Sequence, residues 1–115
     1  MRLSYDEEGD VLEVVFDEQA MNARKKALRL RQGVVLYVSA DTLKPVQFTL
    51  VSYRALSAFP VIDFDGWRKL AESDKKELLP ILASPSVSAF LKLDPDSGNG
   101  HLASPDMLKI LPAAA

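Results

Sequence analysis

Two alternating apolar stretches that flank a short acidic turn, around residues 5–16, constrain the fold of this chain most. The apolar residues recur at every second position: Leu3 and Tyr5 before the turn, and Leu12, Val14 and Phe16 after it. Side chains two residues apart on a strand lie on the same face of a sheet. Pairing Tyr5 with Leu12 places both sets on one buried face. The same register puts Leu3 opposite Val14, and a slip of one residue would turn the apolar face to water.

The turn between these strands carries four acids and one glycine: Asp6, Glu7, Glu8, Gly9 and Asp10. Glycine adopts a positive φ without steric cost, and aspartate caps turns through its own side chain. We expect Gly9 to hold the positive φ. A Ca²⁺ or Mg²⁺ site is the alternative, since hard cations prefer oxygen ligands. The spacing matches no known ion-binding loop, so a solvated structural turn is favoured.

Three further strands are predicted, and the first is Lys26–Arg31, which alternates again. Pairing this strand with the second would put Leu28 opposite Val14 and Arg29 opposite Glu13. Val34–Ser39 follows Gly33 and is apolar at nearly every position, which is typical of a central strand covered on both faces. Val46–Leu50 alternates once more. The sequence therefore predicts an α+β fold: an antiparallel β-meander of about five strands with one or two helices on one face.

After residue 53, the two-residue alternation gives way to patterns that predict helices. Asp63, Asp65 and Gly66 can begin a helix that carries Trp67 into the core, over the face of Val35 and Tyr37. A capping box at Asp74 and Glu77 would start another helix, in which Pro80 lies in the first turn or makes a kink. Val87–Leu93 is a candidate short strand, which could extend the sheet as a sixth member. Ser104 would cap a last helix, Asp106–Leu111.

Two segments resemble binding sites but lack the full pattern. Asp94–Gly100 has oxygen ligands at alternate positions, yet it lacks the glycine and the final acid of an EF-hand loop, so a mobile loop is expected. The basic run of Arg24, Lys25, Lys26, Arg29 and Arg31 is a possible phosphate-binding patch. Seven acids between Asp6 and Glu18, on the strand expected beside it, would neutralise this patch. We therefore expect no binding to nucleic acid.

Composition bounds the class of protein. The 115 residues suggest one domain, with residues 1–52 as the meander and residues 53–115 as its helical and irregular part. A net charge of −2 gives no attraction for nucleic acid or for an acidic membrane. The absence of cysteine excludes disulfides and thiolate chemistry. No signal peptide and no apolar segment of membrane-spanning length occur, so a cytoplasmic location is expected.

The start of the chain, Met1 to Val14, resembles the small bacterial YuzE-like domains, a family of unknown function (DUF2283). Tyr5, Asp6, Asp10 and Leu12 match the opening of that family, whereas Glu13 stands where it usually has an aromatic residue. The resemblance extends to about Leu56. It implies a small bacterial protein, and an antitoxin-like role as the partner of a neighbouring toxin.

No group of residues predicts catalysis. His101 is the only histidine, and no second histidine or cysteine accompanies it, so we assign no catalytic, cofactor-binding or metal-binding residue and expect no enzymatic activity. A protein-interaction domain is the favoured function, with a protein partner or a homodimer formed through a sheet edge at Arg2–Tyr5 or Val46–Val51. A small-molecule or metal-ion binder that uses Asp94–Gly100 is the alternative.

Overall fold

The computed structural model describes residues 1–103. Its strands and helices follow one another in a mixed order. The strands are Arg2–Asp6 (β1), Val11–Val15 (β2), Lys25–Arg31 (β3), Val34–Ser39 (β4), Pro45–Val51 (β5), Ile62–Asp63 (β6), Leu91–Leu93 (β7) and Asn99–Leu102 (β8). The helices are Tyr53–Ser57 (α1), Asp65–Arg68 (α2), Glu72–Ala83 (α3) and Pro85–Ser88 (α4), and a single 3-10 turn covers Gln19–Asn22.

The α+β fold predicted from the sequence is confirmed. Five antiparallel strands form the main sheet in the order β1-β2-β5-β4-β3, and helices cover one face. The predicted first hairpin is also confirmed, because Tyr5 lies opposite Leu12 and Leu3 lies opposite Val14. Hydrophobic alternation was sufficient here because the two strands are joined by a short turn.

The predicted pairing of β2 with β3 is wrong. The strand next to β2 is β5, so Val14 lies opposite Phe48 and Glu13 lies opposite Thr49 instead of Arg29. The chain after β2 passes to the far side of the sheet, and the hairpins β3-β4-β5 then return to β2. Every strand of this sheet has the same two-residue period, so alternation alone could not distinguish β3 from β5 as the neighbour of β2.

The helices pack on the face opposite to the one predicted. Val34, Leu36 and Val38 of β4 are buried in the main core, whereas Val35 and Tyr37 on its other face are only partly buried. The side chains of the second half that join this core are Tyr53, Ile62, Phe64, Trp67, Leu78, Ile81, Leu82, Val87, Phe90, Leu91 and Leu102. The buried face is therefore the one that all five strands supply with apolar residues.

The second half contains a predicted helix and an unexpected sheet. Trp67 is buried in α2 as predicted, with 1% of its surface exposed. Helix α3 begins at Glu72 without a side-chain cap, so the predicted capping box at Asp74 is wrong, and Pro80 lies inside the helix. Val87 belongs to α4, and only Leu91–Leu93 forms a strand, in a second sheet of order β6-β8-β7. The predicted helix Asp106–Leu111 lies outside the described residues.

No helix between residues 1 and 103 has the length and apolar character needed to cross a membrane.

Candidate functional site

The acidic turn after β1 ties the first hairpin to helix α1. The carboxylate of Asp10 accepts hydrogen bonds from the Tyr5 hydroxyl at 2.8 Å and from the Arg54 and Ala55 backbone N–H groups at 2.9 and 3.4 Å. Its backbone carbonyl accepts a fourth, from the N–H of Tyr53 at 2.9 Å. Asp10 thus satisfies the first three N–H groups of α1, which the helix cannot satisfy itself.

Asp10, rather than Gly9, takes the left-handed conformation in this turn. Its φ is +54°, and Gly9 is not among the positive-φ residues, so the expectation for Gly9 was wrong. Aspartate is one of the few residues other than glycine that tolerates this region. The left-handed backbone lets Asp10 direct its carboxylate and its carbonyl at the same helix end.

The same network sets the ionisation of two groups. Burial raises the pKa of Asp10, but the hydrogen bonds from Arg54 N, Tyr5 and Ala55 N, with the charge of Arg54, together bring it below its ordinary value. Burial, and then the hydrogen bond to Asp10, raise the pKa of the Tyr5 phenol. The Arg54 guanidinium carbon also lies 5.1 Å from the centre of the Tyr5 ring, a cation–π distance. Tyr5, Asp10 and Arg54 therefore form one structural unit.

The Asp94–Gly100 segment is a hydrogen-bonded turn between β7 and β8, and the carboxylate oxygens of Asp94 bond within the turn. Asp94 accepts from the backbone N–H of Asp96 at 3.0 Å and from the Ser97 hydroxyl at 3.1 Å. The indole of Trp67 donates to the Pro95 carbonyl at 3.0 Å. Within residues 1–103, no group of three or more acidic or histidine side chains is arranged to hold a metal ion. The structure thus gives Asp94 a role in closing the turn.

His101 lies on β8 and is exposed, opposite Lys92 of β7. Neither residue has a resolved hydrogen bond that would orient it for proton transfer within the described part of the chain. Together with Ser88, Lys92 and Asp94, His101 lines a pocket.

The two edges of the main sheet differ in how they are protected. Natural edge strands avoid unwanted pairing through charges, bulges or a covering element. Strand β3 has all three: it carries four cations, it has an irregular register between Arg29 and Arg31, and α2 packs against it. Gly66 of α2 lies so close that a Cβ there would overlap the Arg29 carbonyl oxygen. This edge is closed to a further strand near Arg29 and Leu30, toward the end of β3.

Strand β1 is the open edge. It pairs with β2 on one side, and no strand of residues 1–103 lies on the other. It contains no proline and has a regular register along all five residues. Leu3 and Tyr5 on its core face are only partly buried. Val46–Val51, the other edge expected from the sequence, is wrong as an edge, because β5 lies between β2 and β4.

The residues of β1 are complementary to a second copy of themselves. If two β1 strands pair antiparallel about Ser4, Arg2 of each lies opposite Asp6 of the other. Leu3 of each then lies opposite Tyr5 of the other, on the core face. Asp6 is exposed, and Arg2 already makes an exposed ion pair with Glu18 at 3.1 Å. Opposite charges and aromatic–aliphatic pairs both stabilise antiparallel strands.

A second feature is a groove of about 570 Å³ between the β3–β4 hairpin and α2. Arg29, Arg31 and Lys69 line it, together with one acid, Asp65. The Nε of Arg31 is buried and has no hydrogen-bond partner among the described residues. The basic run in the sequence includes both arginines but not Lys69, because nothing in the sequence pattern indicates that α2 packs beside β3.

Comparisons with known proteins add no relative. The chain matches no family model, and neither the curated proteins nor the solved structures give a match. The similarity to YuzE-like domains therefore remains a hypothesis. Of the matching positions, Tyr5 and Asp10 bond to each other, Asp10 bonds to the start of α1, and Leu12 is buried in the core.

Proposed function

We propose that this protein is an interaction module that self-associates through the free edge of β1. The observation that carries the proposal is the contrast between the two edges. Strand β3 is protected by four cations, an irregular register and a helix, whereas β1 has a regular register and carries two charges of opposite sign, Arg2 and Asp6. An edge strand with unpaired N–H and C=O groups accepts a strand from another chain by β-augmentation.

A second copy is the partner that the residues of β1 fit best. A two-fold antiparallel pairing centred on Ser4 creates two Arg2–Asp6 pairs and two Leu3–Tyr5 pairs. Each such cross-strand pair contributes about 0.2–1 kcal/mol. The added strand would also cover Leu3 and Tyr5, which the single chain leaves partly exposed. One strand per subunit is a small interface, so the dimer should be weak and depend on protein concentration.

The resemblance to YuzE-like domains supports a second partner for the same edge. In an antitoxin-like role, β1 would receive a strand from a neighbouring toxin instead of from a second copy. Co-purification with the product of the adjacent open reading frame would test this version. If that complex forms and survives Arg2→Asp, the contact lies away from β1 and this version is wrong.

The homodimer is tested by exchanging charges on β1. Sedimentation equilibrium should show a reversible monomer–dimer equilibrium for the wild type. Arg2→Asp places like charges opposite each other twice per dimer, so it should weaken dimerisation by about 1–2 kcal/mol, or roughly 5- to 30-fold. The double variant Arg2→Asp with Asp6→Arg restores opposite charges and should recover dimerisation. Glu8→Gln, in the neighbouring turn, is the control and should have no effect.

Two results would reject the self-association. One is a wild-type protein that stays monomeric up to about millimolar concentration, where even weak interfaces associate. The other is a double variant that dimerises no better than Arg2→Asp, because charge complementarity across β1 would then not contribute.

A further inference from the structure

We propose that the groove between the β3–β4 hairpin and α2 binds the phosphoryl group of a small anionic molecule. Arg29, Arg31 and Lys69 are the residues that would hold it. This site is at the opposite edge of the sheet from β1, so it is independent of the proposed self-association.

The charge of the groove suits a phosphate monoester. Three cations line it against one carboxylate, and Asp65 is 3.7 Å from the ammonium group of Lys69. A phosphate monoester carries about −1.5 to −2 charges at pH 7, which matches the excess of positive charge. The volume of about 570 Å³ is also that of a small-molecule site.

Arg31 supplies the most specific indication of a ligand. Its Nε is buried and has no hydrogen-bond partner within residues 1–103, although buried donors in folded proteins are nearly always paired. Arginine binds phosphate oxygens through two parallel N–H groups, which gives both strength and geometry. The buried Nε reaches a phosphoryl oxygen in the groove only if the Arg31 side chain turns toward the ligand, and the bond would then satisfy this donor.

The acids that were expected to neutralise the basic residues of β3 lie far from that strand. Strand β3 pairs with β4 alone, and Glu13 is on β2, three strand positions away. At the usual spacing between strands this is a separation of about 14 Å. Interactions between exposed charges are largely screened beyond about 8–10 Å at physiological ionic strength. Glu18 also lies toward the other edge, where it pairs with Arg2.

A small ligand fits the chain better than a polyanion does. Its net charge of −2 provides no long-range attraction for nucleic acid, whose binding rests on many phosphate contacts at once. Three cations line the groove, enough to bind one or two phosphoryl groups.

Sodium pyrophosphate is the probe that tests this site. Titration of the full chain, by calorimetry and by amide chemical shifts at constant ionic strength, should show saturable binding and shifts centred on β3, the β3–β4 turn and α2. Arg31→Gln should weaken binding at least tenfold. Arg31→Lys should weaken it several-fold although it keeps the charge, because lysine lacks the planar fork. Lys26→Gln removes a cation from the same strand outside the groove, and its affinity should stay within about twofold of the wild type.

Lys69→Gln is a second test, which remains valid if the Arg31 variants do not fold. The Lys69 side chain is 79% exposed, so its replacement should leave the fold intact and still weaken pyrophosphate binding several-fold. The proposal is overturned if the wild type shows no saturable binding up to about 10 mM pyrophosphate. It is equally overturned if Lys26→Gln weakens binding as much as Arg31→Gln does, since the response would then come from general surface charge.

Discussion

Replacing Asp10 with alanine should destabilise the protein by about 2 kcal/mol. In the folded chain its carboxylate accepts hydrogen bonds from Tyr5, Arg54 and Ala55, and its backbone has a φ of +54°. Alanine removes the cap of α1, which costs about 1 kcal/mol at typical N-termini. Alanine has a Cβ but no polar side chain that could bond locally, so holding it in the left-handed region costs about another 1 kcal/mol.

Two further variants separate these contributions. Asp10→Asn keeps one oxygen acceptor and tolerates the left-handed conformation, so it should cost only about 1 kcal/mol. Asp10→Gly relieves the backbone strain but loses every side-chain bond, and it should cost about as much as the cap alone. The expected order of stability is therefore wild type, then asparagine and glycine at similar values, then alanine.

The effect of Asp10 should also depend on pH. Its pKa is lowered in the folded protein, so folding stabilises the ionised form. This stabilisation is fully present above the unfolded pKa, near 3.8, and is lost as the pH falls through the lower folded value. The difference in unfolding free energy between wild type and Asp10→Asn should therefore be constant at neutral pH and shrink below about pH 4.

Urea denaturation followed by circular dichroism measures these differences from pH 7 down to pH 3. Glu8→Gln is the matched control, because Glu8 is exposed in the same turn and should change stability by less than about 0.5 kcal/mol. The capping argument would be refuted if Asp10→Ala is no less stable than Glu8→Gln. It would also be refuted if the gap to Asp10→Asn persists unchanged at pH 3.

Two other substitutions test the packing of the second half. Gly66→Ala should destabilise the fold by about 1–3 kcal/mol or more, because the added methyl group would overlap the Arg29 carbonyl. Gly9→Ala is the control and should cost under about 1 kcal/mol, because its methyl group meets only a flexible side chain. Equal shifts of the melting temperature for the two variants would contradict this packing. Trp67→Phe removes the hydrogen bond to the Pro95 carbonyl and part of a buried ring, so the free energy of unfolding should fall by about 2 kcal/mol in chemical denaturation. A fall below about 0.5 kcal/mol would show that the bond contributes little.

The free edge and Asp10 show which features of the protein can be predicted from its sequence. The sequence predicts the short first strand as an edge, since its position before a hairpin follows from local order along the chain. The sequence predicts that Asp10 belongs to the turn but not that it caps α1, because its partners Arg54 and Ala55 lie 44 and 45 residues away in sequence. No local pattern connects such distant groups.

The sequence by itself determined the features that depend on nearest neighbours. The register of the first hairpin, the apolar face of each strand and the burial of Trp67 follow from two-residue alternation and from side-chain size. These properties are local, so they are the same whichever strands eventually pair.

Only the tertiary structure decided the order of the strands and the face that the helices cover. All five strands share one period, and the choice of β5 over β3 as the neighbour of β2 depends on how the long connection after Phe16 crosses the sheet. That choice places the cations of β3 far from Glu13 of β2 and leaves β1 as the open edge. Both proposed sites therefore arise from strand order, which depends on contacts between residues distant in sequence.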